Sequence, residues 1–388
     1  MTAAAQSTGE PNAGARERLP GIDAHPHARA VLLPALPPEG KPSHAYLFHG
    51  PPGAGKRTIA RAFAAALLAD GAEDPQAVAE RVRRGAHPDL TWVTPSGAAE
   101  MLVGDVEEPV VAAASRTPFE ARRRVFVIEA VDAMNDQAAN RMLKTLEEPP
   151  AFAHLILLTN RREDVMPTIA SRCQTVRFDP LPPARIAQLL QGTGSGAGDQ
   201  SALACARLAF GDAGAAARLA SEEGAALRAS AEAFVRSALA GRTDGRPWLG
   251  VLEAARLAGA SSGERAQQRL EQELELLPSR ERRRHEREGL EARRRLERRA
   301  RTQTLDLALR LAELWLRDML CVREAAPELI YAVDRRDELE QDARAGDSAR
   351  VAEAIELVAD TRLRLSVNVA EELALEALAY RLEALLAD

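Results

Sequence analysis

The sequence predicts an α/β domain built on a mainly parallel sheet, followed by a small helical domain and a larger all-helical domain. Three observations carry this prediction. Short apolar runs alternate with helical stretches through about residue 178, the pattern of strand–helix–strand units. A glycine-rich turn stands between the first of these strands and a strong helix. After "FDPLPPARI" (178–186) the strand signals stop, and helical periodicity alone remains.

Taken in order, "MTAAAQSTGEPNAGARER" (1–18) has no apolar h-region, so it reads as a disordered tail and not as a signal peptide. The α/β domain is expected over 19–179. "AYLFH" (45–49) is an apolar run ending at glycine, as a buried strand feeding a loop should be. "RTIARAFAAALLAD" follows as a helix rich in alanine and leucine. "DLTWVTP", "RVFVIEA", "HLILLTN" and "TVRF" read as further strands, with "NDQAANRMLKTLEE" as a helix between two of them. Short helices broken by "GTGSGAGDQ" and "GDAG" fill 180–240, and "GRTDGRPW" (241–248) reads as a linker. The remainder, 249–388, is helical throughout, including "LDLALRLAELWLRDML" and "VAEELALEALAYRLEALL".

The chain's 388 residues call for two or three domains. Its 46% hydrophobic and 28% charged residues are those of a soluble globular protein, and no run approaches the ~18 apolar residues of a spanning helix. A net charge of −6 argues against electrostatic capture of nucleic acid by the whole molecule, though not by a local basic face. Cys173, Cys205 and Cys321 lie far apart with no CxxC pair, which suggests neither a zinc knuckle nor a disulfide framework and fits a reducing cytoplasm. The arginine-rich run 279–303 carries glutamates at helical spacing. It reads as a solvated, ion-paired helix face, with a surface for phosphates or an acidic partner as the sharper alternative.

"HGPPGAGKRT" (49–58) supplies Gly50, Gly53, Gly55 and Lys56 of a phosphate loop between a strand and a helix. Lys56 would reach the phosphates as a point charge. The next position should carry a hydroxyl for Mg²⁺ and carries Arg57. Thr58 does not replace it, because one residue along a helix turns a side chain by ~100°, although its backbone N–H could still serve a phosphate. The acidic strand "VFVIEAVD" ends at Glu129, followed by Ala130 where a water-polarising acid is expected, and Asp132 lies too far along to be counted. Two departures therefore fall on metal and water, while the phosphate cradle persists. ATP could still bind; Mg²⁺ is doubtful and no resident metal is expected.

The segments "SHAYLFHGPPGAGKRTIARAFAAALL", "RVFVIEAVDAMNDQAANRMLKTLEEPPAFAHLILLTN" and "PTIASRCQTVRF" together resemble the clamp-loader branch of the AAA+ family, closely over about 19–180. "LKTLEEPP" (143–150) and "SRC" (171–173) are the most specific parts. The resemblance implies a P-loop (AAA+) domain, a helical lid at 180–240 and a helical collar for oligomerisation at 249–388. It implies ATP held between neighbouring subunits, with Arg172 of SRC acting in trans as an arginine finger, and Asn160 at a polar sensor position. Gly214 stands where active relatives carry a second sensor arginine, with Arg218 one turn later. The zinc module common in bacterial relatives is missing from "ADGAEDPQAVAERVRRGAHPDL", where lone His87 makes no metal site. The expected partners are the other clamp-loader subunits (tau/gamma and delta), indirectly a sliding clamp, and primed DNA within the assembly, with no membrane. Arg57 and Ala130 favour a non-hydrolysing stator of the bacterial replicative polymerase's clamp loader over the alternative, an active tau/gamma-type motor.

Overall fold

A computed structural model gives the fold and describes residues 18–95, 100–192, 198–276, 279–345, 347–365 and 369–387. Residues 1–17, nearly all of the expected tail, lie outside these. Arg18 is anchored, donating from Nη1 to the Pro37 carbonyl at 2.5 Å and from Nη2 to the Ala66 carbonyl at 3.1 Å. The chain divides into two compact units. The first comprises Met1–Leu181 with Gly211–Ala213, the second Pro182–Phe210 with Gly214–Asp388.

In the first unit five strands form one parallel sheet: β1 (Ala45–His49), β2 (Leu90–Val93), β3 (Arg124–Ile128), β4 (Ala153–Thr159) and β5 (Gln174–Arg177), ordered β2-β3-β4-β1-β5. Every strand falls on an apolar run named from the sequence. All seven residues of β4 are buried, which is why it reads as a continuous hydrophobic stretch. Alternation along each strand separates two cores. Tyr46, Phe48, Val125, Val127, Ile156 and Leu158 pack with α2 (Lys56–Leu68) through Phe63 and Leu67. Leu47, Phe126, Ile128, Leu155 and Leu157 pack with α4 (Asp136–Glu147) through Met142 and Leu146. Before β1 lies α1 (Pro26–Leu32), and α3 (Pro75–Arg84) occupies the stretch after α2. Asp74 caps α3, its Oδ1 accepting from the N–H groups of Gln76 and Ala77.

A buried acid fixes the entry to β3. Asp89 is fully buried and accepts from the backbone N–H groups of Phe119, Glu120 and Ala121. Burial alone would push its carboxyl up, but these three donors outweigh it and hold the group below the ordinary carboxylate range.

The second unit is helical: α5 (Pro183–Gly192), α6 (Asp199–Leu208), α7 (Ala213–Ala220, whose first residue belongs to the other unit), α8 (Glu222–Leu239), α9 (Trp248–Leu276), α10 (Ser279–Arg323), α11 (Arg336–Asp342), α12 (Ser348–Leu365) and α13 (Glu371–Leu386). Helices α9 and α10 pair along their length, and α8 packs on α9, α10 and α13. Gly263 of α9 gives Glu297 of α10 its room, since a Cβ there would meet Oε1 at 2.1 Å. The stretches expected as lid and collar thus pack as one unit. The expected linker is a folded corner within it, with Thr243 buried, its N–H donating to Glu383 Oε2, and Trp248 buried. The arginine-rich stretch lies in α10, where Arg293 pairs with Glu297 and Arg301 with Glu371.

Candidate functional site

Parallel strands put the loops after β1, β3 and β4 at one edge of the sheet. His49 pairs with Thr159, and Ile128 with Leu157, at the carboxyl ends of these strands. The order places β4 between β1 and β3, so the chain reverses direction across the sheet beside β1, the position where α/β sheets form a binding crevice. Gly50, Gly53, Gly55, Lys56, Arg57, Thr58, Glu129 and Asn160 all reach this edge.

The loop is a built structure. Gly50 has φ +149°, and a Cβ there would stand 2.1 Å from the Phe178 carbonyl oxygen, so only glycine fits. Gly53 and Gly55 also have positive φ, and Gly55 is the N-cap of α2. Lys56 is buried, and its ammonium donates to the carbonyls of Gly50 at 2.6 Å and Pro51 at 2.7 Å. Burial lowers its pKa to about 8, with Asp212 and Asp132 pulling it back up. A Cβ on Gly53 would collide with the Asp212 carboxyl carbon at 1.9 Å, so that acid lies directly over the loop. Buried His25 flanks Gly55 and packs on Phe178.

Arg57, which departs from the phosphate-loop pattern, meets the acid that ends β3. Arg57 Nε lies 2.8 Å from Glu129 Oε1, and the same oxygen accepts the Trp92 indole N–H at 2.5 Å. Thr58 is exposed on the first turn of α2, and Asn160 is exposed past the end of β4. The buried polar group at the end of β4 is Thr159, whose hydroxyl donates to Asp132 Oδ1 at 2.7 Å. Asp132, set aside on its spacing, faces Lys56 electrostatically and pairs with Arg161. Trp92, Thr159, Asp132 and Asp212 were not legible beforehand, because strand order and the return of 211–213 to this unit bring them in.

Arg172 lies elsewhere. β5 runs parallel to β1 with Gln174 opposite Tyr46 and Arg177 opposite His49. Arg172 precedes β5, so it sits at the amino edge of the sheet, the length of a strand (~13 Å) from the loop that follows His49. There Nη2 pairs with Glu147 Oε1 at 2.5 Å and Nη1 donates to the Thr168 carbonyl at 2.9 Å. The neighbouring Cys173 packs against the α4 side of the sheet, and burial pushes its thiol up to about 12, so it is a packing residue and not a nucleophile.

Residues 31–182 match the family model described as "DNA polymerase III, delta subunit". The DNA polymerase III delta-prime subunit of Bacillus subtilis (strain 168) is 37% identical over 150 residues, 37% of this chain and 44% of that one. The delta-prime subunit of Pseudomonas aeruginosa is 37% identical over 147 residues, with the same two shares. Over these residues the first domain is similar to delta-prime subunits. A gamma/tau subunit of Mycobacterium tuberculosis is also similar, at 35% over 169 residues, 42% of this chain and 29% of that one. The chain spans less than half the length of the curated relatives it matches.

The phosphate-loop edge of this domain suits a nucleotide in part. Its glycine cradle, the N-terminus of α2 and Lys56 suit phosphate oxygens. A divalent cation does not fit the same residues. Arg57, a cation, stands at the hydroxyl position, and the Glu129 oxygen that would face the metal already accepts from Arg57 and Trp92. Among the described residues no helix is long and apolar enough to cross a membrane.

Proposed function

We infer that this chain is a delta-prime-type subunit of a bacterial clamp loader, a stator that hydrolyses little or no ATP itself and presents Arg172 to the ATP site of a neighbouring motor subunit. The observation that carries this reading is the position of Arg172. It stands at the sheet edge opposite its own phosphate loop, so it cannot reach that loop within one chain, yet its guanidinium is part-exposed and available to a second chain. A guanidinium supplied in trans offsets charge developing on a transferring phosphoryl group and contributes ~10³–10⁵ in rate. The Arg57–Glu129 contact supports the other half, since it engages the acid that would face a metal, while Ala130 stands where a water-polarising acid is expected.

In this reading the helices of 180–240 act as a lid and those of 249–388 as the collar that holds the assembly together. The partners are tau/gamma-type motor subunits and a delta subunit, acting on a sliding clamp and primed DNA in the cytoplasm. The chain alone should show little DNA-stimulated ATP turnover. Added to motor subunits it should raise their turnover, and Arg172→Ala should remove most of that gain. Robust turnover by the isolated chain, or full stimulation by the Arg172→Ala variant, would sink the proposal.

A further inference from the structure

The contact between Arg57 and Glu129 does more than mark a lost metal. In the phosphate-loop pattern the position after the lysine and the acid ending the third strand lie on either side of the cation. Here those two positions touch directly, Nε to Oε1 at 2.8 Å, with β4 lying between their strands in the sheet. The pair is oriented from behind by Trp92, whose indole N–H donates to the same oxygen and whose ring carries Arg61 over its face at 4.6 Å. Glu129 is largely buried, while two-thirds of the Arg57 side chain is exposed. A guanidinium has five donors and binds phosphate oxygens in a fixed fork.

We propose that the Arg57–Glu129 pair substitutes for the divalent cation, making this loop a metal-independent site for a nucleoside polyphosphate. The charges favour a diphosphate. The guanidinium brings a single positive charge, already paired with the Glu129 carboxylate, where a metal would bring two, and Asp132 and Asp212 face the loop alongside Lys56. The terminal phosphate of a triphosphate would meet these carboxylates without a dication to offset them.

The inference rests on the delta-prime reading of the loop but is read out separately from Arg172 and from any turnover. A fluorescent ADP analogue is titrated into the full chain, with binding followed by anisotropy in EDTA and in millimolar Mg²⁺. The dissociation constant should differ by less than about twofold between the two conditions. Arg57→Ser restores the hydroxyl of the pattern and frees Glu129. It should weaken binding in EDTA and make it tighten about tenfold on adding Mg²⁺. Trp92 emission gives an independent signal, because loss of Arg57 removes the cation paired with the carboxylate that its N–H touches. Three results would overturn the proposal: a tenfold Mg²⁺ dependence in the unaltered chain, an Arg57→Ser variant indifferent to Mg²⁺, or no binding in either condition. None of the three bears on stimulation of the motor subunits through Arg172, which can hold while this inference fails.

Discussion

Lys56 shows how one buried cation ties loop geometry to pH. Its ammonium is satisfied by two carbonyls of its own loop, and its pKa, lowered chiefly by burial, stands at about 8. A group of this kind loses its proton as pH rises through about 8, while the same lysine in the unfolded chain keeps it to ~10.4. Between those values the unfolded state binds more protons, so this residue's contribution to stability rises with pH, whereas its capacity to hold phosphate falls. Affinity for the fluorescent ADP analogue should therefore drop by about tenfold from pH 7 to pH 9, the factor expected once roughly nine-tenths of Lys56 is neutral. Lys56→Met should bind weakly at both. Gly50, Gly55, Lys56, Arg57 and Glu129 were legible in the sequence because each belongs to a short local pattern. The Arg57–Glu129 contact was not, since residues 72 positions apart meet only once strand order is fixed. Asp132 was discounted for the same reason: counted along the chain it is too far from the strand end, yet the turn Val131–Ala133 folds it back to Thr159.

At the level of elements, the seam between β1 and β5 decides where the chemistry sits. Phe178 donates its N–H to the His49 carbonyl at 2.8 Å, and its own carbonyl closes on Gly50. The exit of β5 thereby clamps the start of the phosphate loop. Gly50→Ala should break this clamp, since the new Cβ would have to displace backbone and the residue would keep a φ that alanine rarely adopts. A loss of about 1–3 kcal/mol in urea unfolding is expected, together with loss of analogue binding. Unchanged stability would mean that the seam yields without strain. The strands themselves were readable because parallel, doubly covered strands are continuous apolar runs, and the helices because their apolar residues recur at helical spacing. The relation of Arg172 to the sheet was not, because only the parallel register of β5 on β1 shows that SRC and the glycine loop face opposite ways.

For the molecule as a whole, sequence composition located the change from α/β to helical near residue 180, and the boundary between the two units falls at Leu181 and Pro182. It did not foresee that α8 joins the later helices. One contact that ties α8 to the later part of the chain is a buried ion pair that no local pattern announces. Arg228 of α8 donates from Nη2 to Asp334 Oδ1 at 2.8 Å and from Nη1 to Oδ2 at 3.1 Å, with the arginine side chain 8% exposed. Burial would lower the arginine's pKa, but the bidentate carboxylate outweighs it and raises it. Removing one partner of such a pair strands the other charge, so Arg228→Met should destabilise the helical unit by about 3–5 kcal/mol. Far-UV circular dichroism should register this as an earlier loss of helix on heating. Replacing both partners, Arg228→Met with Asp334→Leu, should recover much of the loss.

Arg172 rests between Glu147 and the Thr168 carbonyl, and this sets the electrostatic terms on which it could meet a neighbour. A guanidinium kept bare for a partner would be fully hydrated and would have to shed that water on docking. One already paired with a carboxylate instead exchanges one anion for another, a swap in which part of the desolvation precedes the encounter. Docking of the proposed kind would then liberate Glu147, a carboxylate placed at the rim of the contact. The finger and the acid that holds it would move as donor and released counter-ion of a single exchange.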